Sequence, residues 1–230
     1  MAMDYLLYYS PGAASMAVHW MLIELAVPFE ARLVDIEAGV QHSQDYLRLN
    51  PAGRVPTLVI DGTPYAESTA LLMLLAERHP EALLAPAPGA PIRAEWLQHM
   101  VYLANTLLPA MRDWFYAEKD GDSKGADAVK SLARRRIEGA WDRLDAHLAA
   151  SNRNYLVGDR LSTADFLAVM LMRWSRNMPR PARLGSALLR ISCGCALYRP
   201  SVQSMLVRGS QIGSTPNVLF TFSDEGAPCC

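Results

Sequence analysis

The sequence predicts an α/β domain followed by an all-helical domain, and three observations carry that expectation. Residues 5–36 read as strand, helix and strand. Pro80, Pro86, Pro88, Gly89 and Pro91 crowd one short stretch that neither a helix nor a central strand tolerates well. Beyond it the texture changes to long helical periods.

The elements follow in order. Tyr5-Leu6-Leu7-Tyr8-Tyr9 is an aromatic and apolar run closed by Ser10-Pro11-Gly12, the pattern of a strand entering a loop. Over 15–26 the apolar residues Met16, Val18, Met21, Leu22, Leu25 and Ala26 recur at helical spacing, and Pro28 ends the run. Residues 29–36 alternate as a second strand, which makes the opening a βαβ unit. Residues 44–49 predict a helical turn, 57–60 a third strand, Asp61-Gly62 a hairpin turn and 64–66 a fourth strand. A helix is predicted over 68–79, with Leu71, Leu72, Leu74 and Leu75 forming much of its apolar face.

The prolines place a linker at 81–91, so the α/β domain spans 1–80. Helices are predicted over 92–116, 126–150 and 163–176 within a helical domain of 92–208, and 209–230 form an atypical tail rich in Gly, Ser, Thr and Pro. Ser162-Thr163-Ala164-Asp165 reads as a capping box, with Leu161 and Phe166 placed for a hydrophobic staple, so Asp165 is a structural acid.

Composition narrows the function. With 230 residues, 51% hydrophobic, the chain can bury two modest cores. Lys and Arg number 22 against 23 Asp and Glu, a balance that gives no electrostatic footprint for nucleic acid. No apolar run reaches the roughly 18 residues of a membrane span, and the first residues lack the basic start of a signal peptide, so a cytoplasmic location is expected. Cys193, Cys195, Cys229 and Cys230 lack zinc-knuckle or C-x-x-C spacing and read as free thiols. No metal is expected.

The most informative stretch is NPAGRVPTLVIDGTPYAES at 50–68. Val55-Pro56 stands directly before the β-rich run 57–60, where a proline removes a ladder donor. Taken alone, the dipeptide is either an ordinary trans proline at a strand start or a cis peptide that holds a backbone edge open for a ligand. Likewise Glu67-Ser68 is either a helix cap or the anion-binding start of a helix.

Four stretches in this order, YYSPGAAS at 8–15, NPAGRVPTL at 50–58, ESTALL at 67–72 and GDRLSTADF at 158–166, resemble the cytosolic glutathione S-transferases, with the beta-like bacterial pattern nearest at the N-terminus. The likeness spans about residues 4–180. It implies a thioredoxin-like N-terminal domain that holds glutathione and an all-helical C-terminal domain that supplies the second-substrate pocket. It also implies that Val55, before a cis Pro56, pairs its backbone with the cysteinyl part of glutathione. Glu67 would face the γ-glutamyl ammonium and Ser68 its carboxylate, while Gln41, with His42 or Arg54, lies where family members contact the glycyl end. Family members pair as homodimers.

The implied reaction is attack by the glutathione thiolate on a small hydrophobic electrophile. A free thiol near pKa 8.5 is a few per cent thiolate at neutral pH, and each unit of lowering needs about 1.4 kcal/mol. One hydrogen bond to the anion supplies roughly 1.5–3 kcal/mol. A single hydroxyl therefore suffices, and Ser15 is the first choice, with Ser10 and Tyr9 as rivals. Ser15 is equally readable as an N-cap. The beta-like pattern has a cysteine where this chain has Ala14, so mixed-disulfide chemistry is not expected. Tyr102, Asn105 and Met111 on the first long helix are candidates for the second-substrate wall, or are bundle core. The missing cysteine and the unfamiliar tail motivate one alternative, a non-catalytic transferase-like interaction module; another, glutathione-dependent peroxide reduction or isomerisation, shares the same site and differs only in acceptor.

Overall fold

The computed structural model describes residues 4–120 and 123–182. The four cysteines and the 209–230 tail lie outside the described residues. Strand β1 (Tyr5–Tyr9) leads through helix α1 (Ser15–Glu24) to β2 (Glu30–Leu33), and helix α2 (Gln44–Leu49) precedes the hairpin of β3 (Thr57–Ile60) and β4 (Thr63–Ala66). Helix α3 (Ser68–Arg78) closes the first domain. The sheet runs β2-β1-β3-β4, with β1 parallel to β2 and antiparallel to β3. Pro64 is harmless to the ladder because β4 lies at the sheet edge, paired among the described residues only with β3.

Alternation along β1 sends Tyr5 and Leu7 into the core, where they meet Leu58, Ile60, Leu72 and Leu75. Helix α1 stops at Glu24 rather than at Ala26, since Ala26 turns to φ 53° ahead of Pro28. The second strand keeps four residues rather than the expected 29–36, although the Val34 N–H still donates to the Tyr9 carbonyl at 2.8 Å.

The second domain comprises α4 (Arg93–Tyr102), α5 (Leu108–Asp120), α6 (Ala126–Ser151) and α7 (Thr163–Trp174). The single helix expected over 92–116 is interrupted by a π turn at Leu103–Leu107. Pro109 gives the reason: it has no N–H for the Asn105 carbonyl, and its ring would crowd that carbonyl in a regular helix.

The domains share one core. Trp20 of α1 stacks against Phe166 of α7 with ring centroids 4.1 Å apart, and both are fully buried. The Thr163 N–H donates to the Leu84 carbonyl of the linker at 2.8 Å. At the start of α7 the Asp165 carboxylate accepts from the Ser162 N–H at 2.8 Å, the Ser162 hydroxyl at 2.9 Å and the Leu156 N–H at 2.8 Å. Burial pushes its carboxyl up to about 6 against the pull of these donors.

Candidate functional site

The loop from β1 to α1 is closed by one serine. Ser15 is fully buried, accepts a hydrogen bond from the Ser10 N–H and donates its hydroxyl to the Ser10 carbonyl, both at 3.1 Å. Its hydroxyl is thus engaged inside the loop. Ser10 is 5% exposed, and among the described residues no group bonds its hydroxyl. Tyr9 is half-buried, packs edge-on against His19 at 5.0 Å, and burial raises its phenol above the ordinary value. Gly12 adopts φ 74°, the left-handed region that favours glycine, and its carbonyl accepts from the Trp174 indole N–H at 2.7 Å. Trp174 therefore joins the end of α7 to this loop, a contact 162 residues apart that no local pattern announces.

The N-terminus of α3 lies beside that of α1. Ser68, its first residue, donates its hydroxyl to the Ala14 carbonyl at 3.2 Å. Glu67 makes no side-chain cap bond and holds φ 70°, an uncommon conformation outside glycine. The simple cap reading of Glu67 therefore fails, and its exposed carboxylate stands free of the helix end. Two helix N-termini together make a region of positive potential.

The Val55–Pro56 peptide is cis. The segment before it is held by a buried polar network: the Arg54 carbonyl accepts from the Tyr46 hydroxyl at 2.6 Å and from Asn50 Nδ2 at 2.7 Å. The Tyr46 hydroxyl also meets Thr57 Oγ1 at 2.9 Å. Gly53, at φ 60°, approaches a 3-10 turn at Val40–His42 so closely that a Cβ there would lie 2.9 Å from His42 Nδ1 and 3.2 Å from the Gln41 carbonyl. That approach brings Gln41 and His42 next to the Arg54 and Val55 segment. Gln41 donates through Nε2 to the Ile36 carbonyl at 3.3 Å, while its Oε1 is buried without a partner among the described residues. Arg54 and His42 side chains are exposed.

The second-substrate candidates divide. Asn105 is exposed on the π turn and Tyr102 is half-buried with the Arg143 guanidinium 5.4 Å from its ring centre. Met111 is fully buried in the bundle core and offers no wall to a ligand.

A four-stranded α/β domain with this loop constellation, joined to a helical bundle, defines a thioredoxin-like protein carrying a transferase-type second domain. Family models agree: the glutathione S-transferase N-terminal domain matches residues 13–78 and the C-terminal domain residues 94–184. Glutathione S-transferase GST-4.5 of Xanthomonas campestris is 35% identical over 175 residues, 74% of this chain and 82% of the relative. Among solved structures, a Sulfitobacter glutathione transferase homologue with bound glutathione superposes with a TM-score of 0.79 at 25% identity, covering 91% of this chain and 99% of its own. The ternary complex of BphK, a bacterial glutathione S-transferase, gives 0.76 at 30% identity, covering 89% and 99%. The chain belongs to the glutathione S-transferase family.

Proposed function

We propose that this glutathione transferase binds glutathione across the α1 and α3 N-termini and the Val55 edge, and activates its thiolate for attack on small hydrophobic electrophiles. The observation that carries the reading is the Ser68 to Ala14 bond at 3.2 Å, which fixes the two helix N-termini side by side. The γ-glutamyl carboxylate meets the Ser68 N–H and the ammonium meets Glu67. The cysteinyl backbone pairs with Val55 beside Pro56 in the manner of an added strand. The glycyl end reaches Gln41, whose buried Oε1, without a partner among the described residues, can accept from the glycyl N–H, with His42 and Arg54 at the rim. Tyr102 and Asn105 border the second substrate.

The hydroxyl that holds the thiolate is that of Ser10, with Tyr9 its rival, while Ser15 acts as a positioning residue that closes the loop. Ser10 is favoured because its hydroxyl is unbonded among the described residues, whereas Ser15 already donates to the Ser10 carbonyl. A cytoplasmic location is proposed on the ground that glutathione is kept as the thiol in a reducing compartment. We assign the linker to 81–91, between a glutathione-binding domain of 1–80 and a helical domain of 92–208; the two family matches fall on either side of it. Exposed Leu97 and Val101, one turn apart on α4, support pairing as a homodimer.

The test is the ultraviolet absorbance of the bound thiolate against pH in wild type, Ser10→Ala, Tyr9→Phe and Ser15→Ala. Ser10→Ala raises the bound thiol pKa by about one to two units, from the loss of one hydrogen bond to an anion. Ser15→Ala chiefly raises the KM for glutathione. A pKa unmoved in Ser10→Ala removes that assignment, and calorimetry with no heat at millimolar glutathione removes the binding reading altogether.

A further inference from the structure

We infer that Glu95, His99 and His147 form a divalent transition-metal site of the zinc type, which clips α4 to α6 in the helical domain. Glu95 and His99 stand one turn apart on α4 and so share a face, and α6 brings His147 against it. One ligand atom from each lies within 4.8 Å of the other two. The imidazoles pack with ring centroids 4.7 Å apart.

Donor chemistry selects the ion. Two imidazoles and one carboxylate suit zinc and its borderline neighbours, whereas calcium and magnesium take oxygen sets. The site also has the outer partners that metal ligands use. His147 Nε2 lies 3.0 Å from the Leu156 carbonyl and 3.4 Å from Glu95 Oε1, so binding through Nε2 exchanges the Leu156 contact for the metal, whereas binding through Nδ1 keeps it. The Glu95 carboxylate accepts from Arg153 at 2.9 and 3.1 Å and keeps lone pairs for a metal. His99 is buried, with its ring against that of His147.

Zinc bonds of about 2.0–2.1 Å set tetrahedral donors about 3.4 Å apart, so the three groups must draw together by up to about 1.4 Å. The side chains of Glu95 and His147 remain 30% and 28% exposed, which gives an entry path and leaves the fourth position to water. Binding then joins α4 to α6 and, through Arg153 and Leu156, to the segment leading into α7.

The test is cobalt titration of the full chain with its thiols alkylated, followed by displacement with zinc. One equivalent of Co²⁺ gives weak visible bands without a thiolate charge-transfer band, and zinc raises the melting temperature. His147→Ala and Glu95→Gln, both at partly exposed positions, weaken binding at least tenfold and abolish the zinc-dependent rise. Binding weaker than about 1 mM, or unchanged in both variants, overturns the proposal, as does binding that disappears on alkylation.

Discussion

Asp165 and His19 show how single buried polar residues set stability here. Asp165 satisfies the Ser162 and Leu156 N–H groups and the Ser162 hydroxyl at once, so Asp165→Ala leaves buried donors unpaired. The expected cost is roughly 2–4 kcal/mol, read as a lowered melting temperature with the glutathione KM little changed. A loss below about 0.5 kcal/mol would contradict this account of the α7 start. His19 sits between Tyr9 and Phe29, and burial lowers its pKa to about 4. The unfolded chain takes up a proton at His19 below about pH 6.5 and the folded chain does not, so stability is lost as pH falls from about 6.5 to 4, by up to about 3 kcal/mol. Denaturant melts of wild type and His19→Phe check this as a difference, which cancels the opposite contribution of Asp165. Parallel pH profiles would exclude it. Asp165 was legible because its capping box is local in sequence; the burial of His19 was not, since it depends on the facing strands.

At the level of elements, the α2 turn and the loop before β3 act as one positioning unit. The Tyr46 hydroxyl and Asn50 both hold the Arg54 carbonyl, and through it the backbone edge at Val55. Tyr46→Phe removes one of these bonds, worth about 1 kcal/mol, and the glutathione KM is expected to rise about fivefold with kcat nearly unchanged. Steady-state kinetics at varied glutathione decides it; a fall in kcat alone would place Tyr46 elsewhere in the mechanism. The strands β1 and β3 and the helices α2 and α3 were readable from apolar period and turn residues. The π turn was not read, although Pro109 was its signal. Nor was the approach of His147 to Glu95 and His99, because the four-residue spacing on α4 gains meaning only once α6 packs against it.

Across the whole molecule, the proline-rich linker and the change of period made the two domains legible, while the contacts that unite them were hidden by their sequence separation. Trp20 on Phe166 and Trp174 on Gly12 join residues more than 140 positions apart, and such pairs carry no local pattern. Their consequence is that α7 both buries the shared core and holds the loop that carries Ser10. The same bundle leaves α4 with an outward apolar stripe: Leu97 and Val101 are 37% and 51% exposed on one face. A stable interface buries about 800 Å² per partner, and a charge placed in its dry centre costs several kcal/mol. Leu97→Glu with Val101→Glu is therefore expected to convert a dimer into a monomer while the far-ultraviolet dichroism stays native. Light scattering after gel filtration reads the mass directly: a wild type that elutes as a monomer, or a double variant that stays dimeric, would show that α4 is not the pairing face.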